Sequence, residues 1–260
     1  MYDFEFVKPS SVADAVAALG SEDAQALGGG QTLIPTLKQR LNQPSKLVST
    51  SGIAEMVGVC PDDGSLTIGG ATTHAQVAAD ASAYPALAAT AAGIGDPAVR
   101  NRGTIGGSLA NNDPAACYPA AVLGSGATIV TNAREIAADD YFQGMFETAL
   151  DEGELITGVR FPIPEVANYQ KFLQPASRFA LTGVYVAKYA DGVRVAVTGA
   201  SEEGVFRWTD AEAALSANFS ADAVPDAPSA DGMITDLHGT GAYRAHLVKV
   251  LTGRAVAAAS

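Results

Sequence analysis

The chain has 260 residues, 48% of them hydrophobic and 17% charged, a globular composition that excludes wholesale disorder. Its formal net charge of -12 argues against nucleic acid and anionic membrane surfaces as partners. No apolar run approaches the roughly 20 residues of a membrane span, the first six residues lack a leader's basic and apolar regions, and Cys60 and Cys117 form no CxxC, so a cytoplasmic chain without a disulfide framework, cysteine-held cluster or metal site is expected.

In chain order, Ser11-x-x-Asp14 opens a short helix carrying Val12, Val16 and Leu19 on one face, and Gly20 stops it. Residues 24–27 read as a short buried strand running into Gly28-Gly29-Gly30-Gln31-Thr32. Residues 32–41 follow as a helix with Leu33, Leu37 and Leu41 on one face. Strands are expected at 46–49 and 65–69, and an alanine-rich helical stretch at 73–93, interrupted at Pro85. A second glycine cluster, Gly103-Thr104-Ile105-Gly106-Gly107-Ser108, precedes Asn111-Asn112-Asp113-Pro114, which reads as an N-cap with proline at the first helical position of a helix to about Leu123. A hairpin around Asn132 and a strand at 154–161, ended by Pro162 and Pro164, come next. Beyond a boundary placed near residue 165 the texture changes. Residues 184–187 and Val193, Val195 and Val197 alternate about an Asp191-Gly192 turn. A Pro/Ala/Asp-rich loop spans 221–232, and Tyr243, Leu247, Val250 and Leu251 mark a closing helix.

The two glycine clusters carry the chemistry. Without a Cβ, successive N–H groups can converge on an anion, and a helix start behind each loop adds partial positive charge. Thr32 adds a hydroxyl donor to the first loop, and Thr104 and Ser108 flank Gly106-Gly107 in the second. Hydrogen bonds to a charged acceptor contribute about 1.5–3 kcal/mol each, so four or five amides suffice for a pyrophosphate without a lysine. Neither cluster matches a P-loop or dinucleotide fingerprint. Spacing alone therefore leaves a nucleotide, a flavin or a plain tight turn open.

The strings Gly28-Gly29-Gly30-Gln31-Thr32 and Arg100-Asn101-Arg102-Gly103-Thr104-Ile105-Gly106-Gly107-Ser108-Leu109-Ala110 resemble the two FAD-diphosphate loops of one family, the FAD-binding medium subunits of molybdenum hydroxylases, carbon monoxide dehydrogenase in particular. The likeness continues through Asn111-Asn112-Asp113-Pro114, Asp139-Asp140-Tyr141-Phe142, Glu154-Leu155-Ile156-Thr157 and Phe179-Ala180-Leu181-Thr182-Gly183-Val184. It implies an α+β fold: a two-subdomain FAD-binding domain of the PCMH, vanillyl-alcohol-oxidase-like type over residues 1–165, then a C-terminal domain of small antiparallel sheet plus helices over 166–260. The implied cofactor is FAD, held by Leu27, Gly28, Gly29, Gly30, Gln31 and Thr32 and by Thr104, Ile105, Gly106, Gly107 and Ser108. Asp113 matches the point where the second loop turns into a helix, and Leu155 and Lys171 match positions near the flavin ring in xanthine-oxidising relatives. Cys117 stands where many relatives carry an aspartate to the ribose, and Gln31 where histidine or serine is frequent.

The resemblance further implies an electron-transfer subunit with no catalytic residue of its own. Its partners would be a molybdopterin-binding large subunit and an iron–sulfur small subunit, assembled as a dimer of heterotrimers. A stand-alone flavin oxidoreductase of the same superfamily and a non-catalytic assembly subunit are the rival expectations. His74 is weighed as a covalent flavin anchor but, lying in neither loop, is read as structural. Cys117 is read as a buried small hydrophobe rather than a redox thiol. Arg100 and Arg102 are placed equally as phosphate neutralisers or partners of a local carboxylate.

Overall fold

The computed structural model describes residues 1–259. The chain begins β1 (Glu5–Val7), α1 (Val12–Leu19), β2 (Ala24–Leu27), α2 (Leu33–Lys38) and β3 (Lys46–Ser49), and the three strands form a parallel sheet in the order β1-β3-β2. The Ser11 hydroxyl caps α1 by accepting from the Asp14 amide, as the spacing predicts. β2 lies at a sheet edge and is only half-buried, where full burial was expected. Helix α2 stops at Lys38, short of the expected end at residue 41. Arg40 adopts φ +59° and Leu41 points to solvent, 74% exposed, so the apolar repeat ends with Leu37.

The next strands are β4 (Val59–Asp62) and β5 (Ser65–Gly69), followed by α3 (His74–Asp80), α4 (Pro85–Ala92), α5 (Pro97–Arg100), α6 (Ile105–Asn111) and α7 (Tyr118–Gly124). Then come β6 (Thr128–Thr131), β7 (Glu135–Ala137), α8 (Ala138–Tyr141), the pair β8 (Phe142–Gly144) and β9 (Glu147–Thr148), and β10 (Ile156–Pro162). Strands β4-β5-β10-β6-β7 make an antiparallel sheet, with Pro162 as the last paired residue of β10. Its core joins Leu66, Ile68, Ile129, Val159 and Phe161 to Val77, Tyr84, Leu87, Leu109 and Tyr118 from the helices.

Residues 111–114 depart from expectation. They do not begin a helix; they end one. Asn112 takes the left-handed conformation at φ +41°, which asparagine tolerates, and closes α6. Its buried side chain donates to the carbonyls of Gly144 and Glu147, both at 2.8 Å, and holds the β8–β9 hairpin. The following helix starts only at Tyr118, with Pro119 in its first turn.

The remainder comprises β11 (Val166–Leu173), β12 (Ala180–Tyr189), β13 (Gly192–Ser201), β14 (Gly204–Arg207), α9 (Thr209–Ala217) and α10 (Gly241–Ala259). The four strands pair antiparallel in sequence order, and Tyr189 opposite Gly192 puts the β12–β13 turn at Ala190-Asp191, one residue before the expected position. Both faces of this sheet are covered. Val184, Val186, Val195 and Val197 meet α9 and α10, while Tyr185, Ala187 and Ala196 join the core under α7. Alternate residues thus enter different cores, which is why β12 is buried from Ala180 to Ala187. In α10, Leu247 and Leu251 are buried, whereas Tyr243 is exposed. No described helix is long and apolar enough to cross a membrane.

Charged groups tie α9 to the sheet. The buried Glu212 carboxylate accepts from the Val195 amide at 2.9 Å and from Arg207 Nε and Nη2 at 2.8 and 2.7 Å. Arg207 and Arg194 both also reach Asp139, at the start of α8. Glu212→Ala leaves the buried Val195 amide without an acceptor and Arg207 with Asp139 as its remaining carboxylate, and should cost about 2–3 kcal/mol in urea unfolding.

Candidate cofactor cleft

A cleft of about 720 Å³ runs between the end of β2, the start of α6 and the near edge of the C-terminal sheet. Leu27, Gly28, Gly29, Gly30, Gln31, Thr32, Thr104, Gly106, Gly107, Ser108, Asp113, Leu155 and Lys171 all line it. Ile105 does not: its side chain is fully buried in the core, and its amide donates to Thr72 O at 3.2 Å.

The two loops touch, and only glycine permits it. A Cβ on Gly29 would fall 1.9 Å from the Arg102 carbonyl oxygen, and one on Gly28 would fall 2.8 Å from Thr104 Oγ1. Gly30 turns the chain into α2 at φ +69°.

Hydrogen bonding then separates the loops. In the second, Gly106 donates to Gly70 O at 2.9 Å, Gly107 to Thr104 Oγ1 at 3.2 Å and Ser108 to Thr104 O at 3.0 Å, so these amides are already used. In the first, among the described residues, no acceptor takes the N–H of Gly28, Gly29, Gly30, Gln31 or Thr32, and the Thr32 hydroxyl caps nothing. Five consecutive open amides and a free hydroxyl are a donor set for a diphosphate. With α2 only six residues long, these amides, rather than a helix dipole, would supply most of the attraction. The first loop thus has more open amides than the second, where, among the described residues, Thr104 keeps its amide open while Gly106, Gly107 and Ser108 already have acceptors within the chain.

Other residues complete the cleft. Asn132 Oδ1 accepts from the Leu155 amide at 2.7 Å and its own amide donates to Leu155 O, which fixes Leu155 at the wall. Glu154, next in the chain, accepts from Thr131 Oγ1 at 2.6 Å and from Arg134 Nε and Nη2 at 3.1 and 3.0 Å. Arg134 holds the Glu154 carboxyl at a pKa of about 2. Lys171 reaches across from β11 and donates to Gly93 O at 2.7 Å, Arg178 O at 3.0 Å and Cys117 Sγ at 3.6 Å, none of them a carboxylate. Asp113 caps a turn by accepting from the Ala115 amide at 2.8 Å. Cys117 is buried in the wall. Arg100 meets neither a phosphate site nor a carboxylate: its Nη1 donates to the carbonyls of Ile94 and Gly95.

Sequence reasoning did not assign Ile94, Thr50, His74 or the 177–179 segment to the cleft, though all line it. Each arrives by tertiary packing from elements without a ligand signature. Among the described residues no cluster of three or more His, Cys, Asp or Glu is placed to hold a metal.

Two outcomes follow from this geometry. Gly29→Val should lower the melting temperature and abolish FAD retention together. Gly107→Val, whose Cβ faces the cleft and meets only Thr104 Oγ1 at 3.0 Å, should keep the fold and lose FAD. Melting curves and flavin absorbance after desalting read both. The Glu154 carboxylate, with its pKa depressed in the folded state, stabilises above pH about 4.5. That contribution should disappear between about 4.5 and 2, and acid titration of Glu154→Gln should lack this part of the transition.

Residues 2–164 match the family described as FAD binding domain in molybdopterin dehydrogenase. The chain is 38% identical over 201 residues to the carbon monoxide dehydrogenase medium chain of Afipia carboxidovorans, covering 73% of this chain and 70% of that one. It is 33% identical to the nicotine 6-hydroxylase medium subunit of Paenarthrobacter nicotinovorans, covering 96% of this chain and 95% of the other. Among solved structures, a chain of quinoline 2-oxidoreductase from Pseudomonas putida 86 superposes with a TM-score of 0.89 at 28% identity, covering 99% and 97% of the two chains. A chain of Cu,Mo-CO dehydrogenase superposes with a TM-score of 0.87 at 30% identity, covering 98% and 97%. With open amides facing a cleft of this size, and these likenesses along its length, the chain belongs to the FAD-binding medium subunits of the molybdenum hydroxylase family of oxidoreductases.

Proposed function

We propose that this chain is the electron-transfer subunit of a molybdenum hydroxylase, taking electrons from an iron–sulfur subunit and passing them to an external acceptor. The observation that carries the reading is the run of five unpaired amides at 28–32, set against a glycine wall in a family that binds FAD. Bound FAD supplies both one-electron and two-electron redox chemistry. The residues of this chain do the rest. Residues 28–32 hold the diphosphate, with Leu27, Thr104, Gly106, Gly107, Ser108 and Asp113 shaping the walls beside it. Leu155 and Ile94 give apolar cover at the ring end and exclude water. Lys171 presents an ammonium without a carboxylate partner, which favours negative charge gained on reduction. Ile105 serves from behind, as core packing under the second loop.

The substrate would be oxidised in a molybdopterin-binding large subunit, and an iron–sulfur small subunit would deliver the electrons, in a cytoplasmic dimer of heterotrimers. The family match ending at residue 164 supports a functional division near residue 165, with the C-terminal unit contributing Lys171 to the cleft.

The test is a complex assembled with and without this chain. With large and small subunits alone, substrate should still bleach the iron–sulfur absorbance, while turnover with an external acceptor is lost and returns on adding the FAD-loaded chain. Unchanged turnover without the chain would contradict the proposal. Reduction of the isolated chain's flavin by a small substrate would point to a stand-alone oxidoreductase.

A further inference from the structure

The connection from β11 to β12 forms part of the cleft rim: Ser177, Arg178 and Phe179 line the cleft, and residues 175–178 are exposed. Ser177 at φ +67° and Arg178 at φ +62° are consecutive left-handed residues and neither is glycine, so the loop keeps this shape only where contacts hold it. Gln174 ties the loop to itself. Its amide donates to Phe179 O at 3.0 Å, and its carbonyl accepts from the Arg178 amide at 3.1 Å. Contacts from outside fix the loop in place. Lys171 Nζ donates to Arg178 O at 3.0 Å and to Gly93 O at 2.7 Å, beside Ile94. His238, from the segment before α10, brings Nδ1 to 2.8 Å from Gln174 Nε2, and its ring meets the Phe179 ring edge-on at 5.5 Å.

The polarity of the histidine contact is fixed by its surroundings. Gln174 Oε1 already accepts from the Ala176 amide at 3.1 Å, so Gln174 turns its NH2 group toward His238. That group only donates, so Nδ1 accepts and the ring proton sits on Nε2. The turn bearing His238 is itself anchored. Asp236 Oδ1 accepts from the His238 amide at 2.9 Å and from the buried Arg244 at 2.8 Å, and Arg244 Nη1 donates to Leu181 O and Gly199 O. From these contacts, and resting on the FAD reading of the cleft, we infer that His238 is a positioning residue. Its Nδ1, acting through Gln174, latches the 174–179 loop beside Lys171 at the ring end of the cleft. The latch keeps Arg178 O on the Lys171 ammonium, and so helps to retain bound FAD.

The test compares full-length wild type, His238→Phe and His238→Asn. Phenylalanine keeps a flat ring against Phe179 and removes the acceptor; asparagine keeps an acceptor near the Nδ1 position. Brief trypsin digestion of the cofactor-free chains, read by mass spectrometry, reports loop opening as cleavage after Arg178. His238→Phe should be cut there about three- to tenfold faster than wild type, and His238→Asn at close to the wild-type rate, with melting temperatures alike in all three. Loaded with FAD and diluted, His238→Phe should release flavin about three- to tenfold faster than wild type, read by the return of free-flavin fluorescence. Equal cleavage after Arg178 in His238→Phe and wild type would overturn this inference and leave the FAD reading intact. So would faster cleavage in both variants with lower melting in both, which marks a packing role, or faster cleavage with flavin release unchanged. A wild type that takes up no FAD, alone or with its partner subunits, would overturn the FAD reading and, with it, the role of the latch in retaining FAD.

Discussion

The contact between two backbone segments, Gly28-Gly29 on one side and Arg102-Gly103-Thr104 on the other, sets the rest of the site. No side chain fits there, since a Cβ on Gly29 would overlap the Arg102 carbonyl. The contact brings the three-stranded parallel sheet, through the end of β2, against α6 and the five-stranded sheet behind it. Gly106 is anchored to Gly70 O, Ile105 to Thr72 O and Gly103 O to the His74 amide, so the second loop is fastened to the end of β5 by its own backbone groups. That fastening leaves its amides little to offer a ligand. The first loop, unfastened on the cleft side, keeps its amides open, so the proposed division gives it the larger share of diphosphate binding.

The C-terminal sheet closes the cleft. Thr198 Oγ1 donates to the carbonyls of Pro114 and Ala116, and Gly199 N to Pro114 O, which pins the segment bearing Asp113 and Cys117 against β13. Lys171 then ties Gly93, Arg178 and the Cys117 thiol together from β11. The acidic chain thus presents an ammonium to the cleft through neutral and thiol contacts, while Arg194 and Arg207 elsewhere are paired with Asp139.

Where local chemistry decides, the sequence was readable. The Ser11 cap, the hairpin about Asn132 and the two glycine loops follow from residue type and spacing, and the loops led to residues that do line one cleft. Where a long-range contact decides, it was not. The string 111–114 reads as an N-cap ahead of Pro114, yet the Asn112 side chain is drawn to the β8–β9 hairpin more than thirty residues on, and a left-handed turn ends α6 instead. Leu41 continues a helical repeat that the backbone abandons at Lys38. Ile105 lies inside a ligand-like string but points into the core. His74 and Ile94 reach the cleft only because α3 and the end of α4 pack beside the second loop, which spacing along the chain does not encode.

The central claim is that the first loop donates and the second loop walls, and amide NMR of the isotopically labelled chain, recorded with and without FAD, tests it most directly. The account predicts large shifts and slowed hydrogen exchange at Gly28, Gly29, Gly30, Gln31 and Thr32, with only small changes at Gly106 and Gly107. Strong new protection at Gly106 and Gly107, with residues 28–32 unmoved, would contradict it.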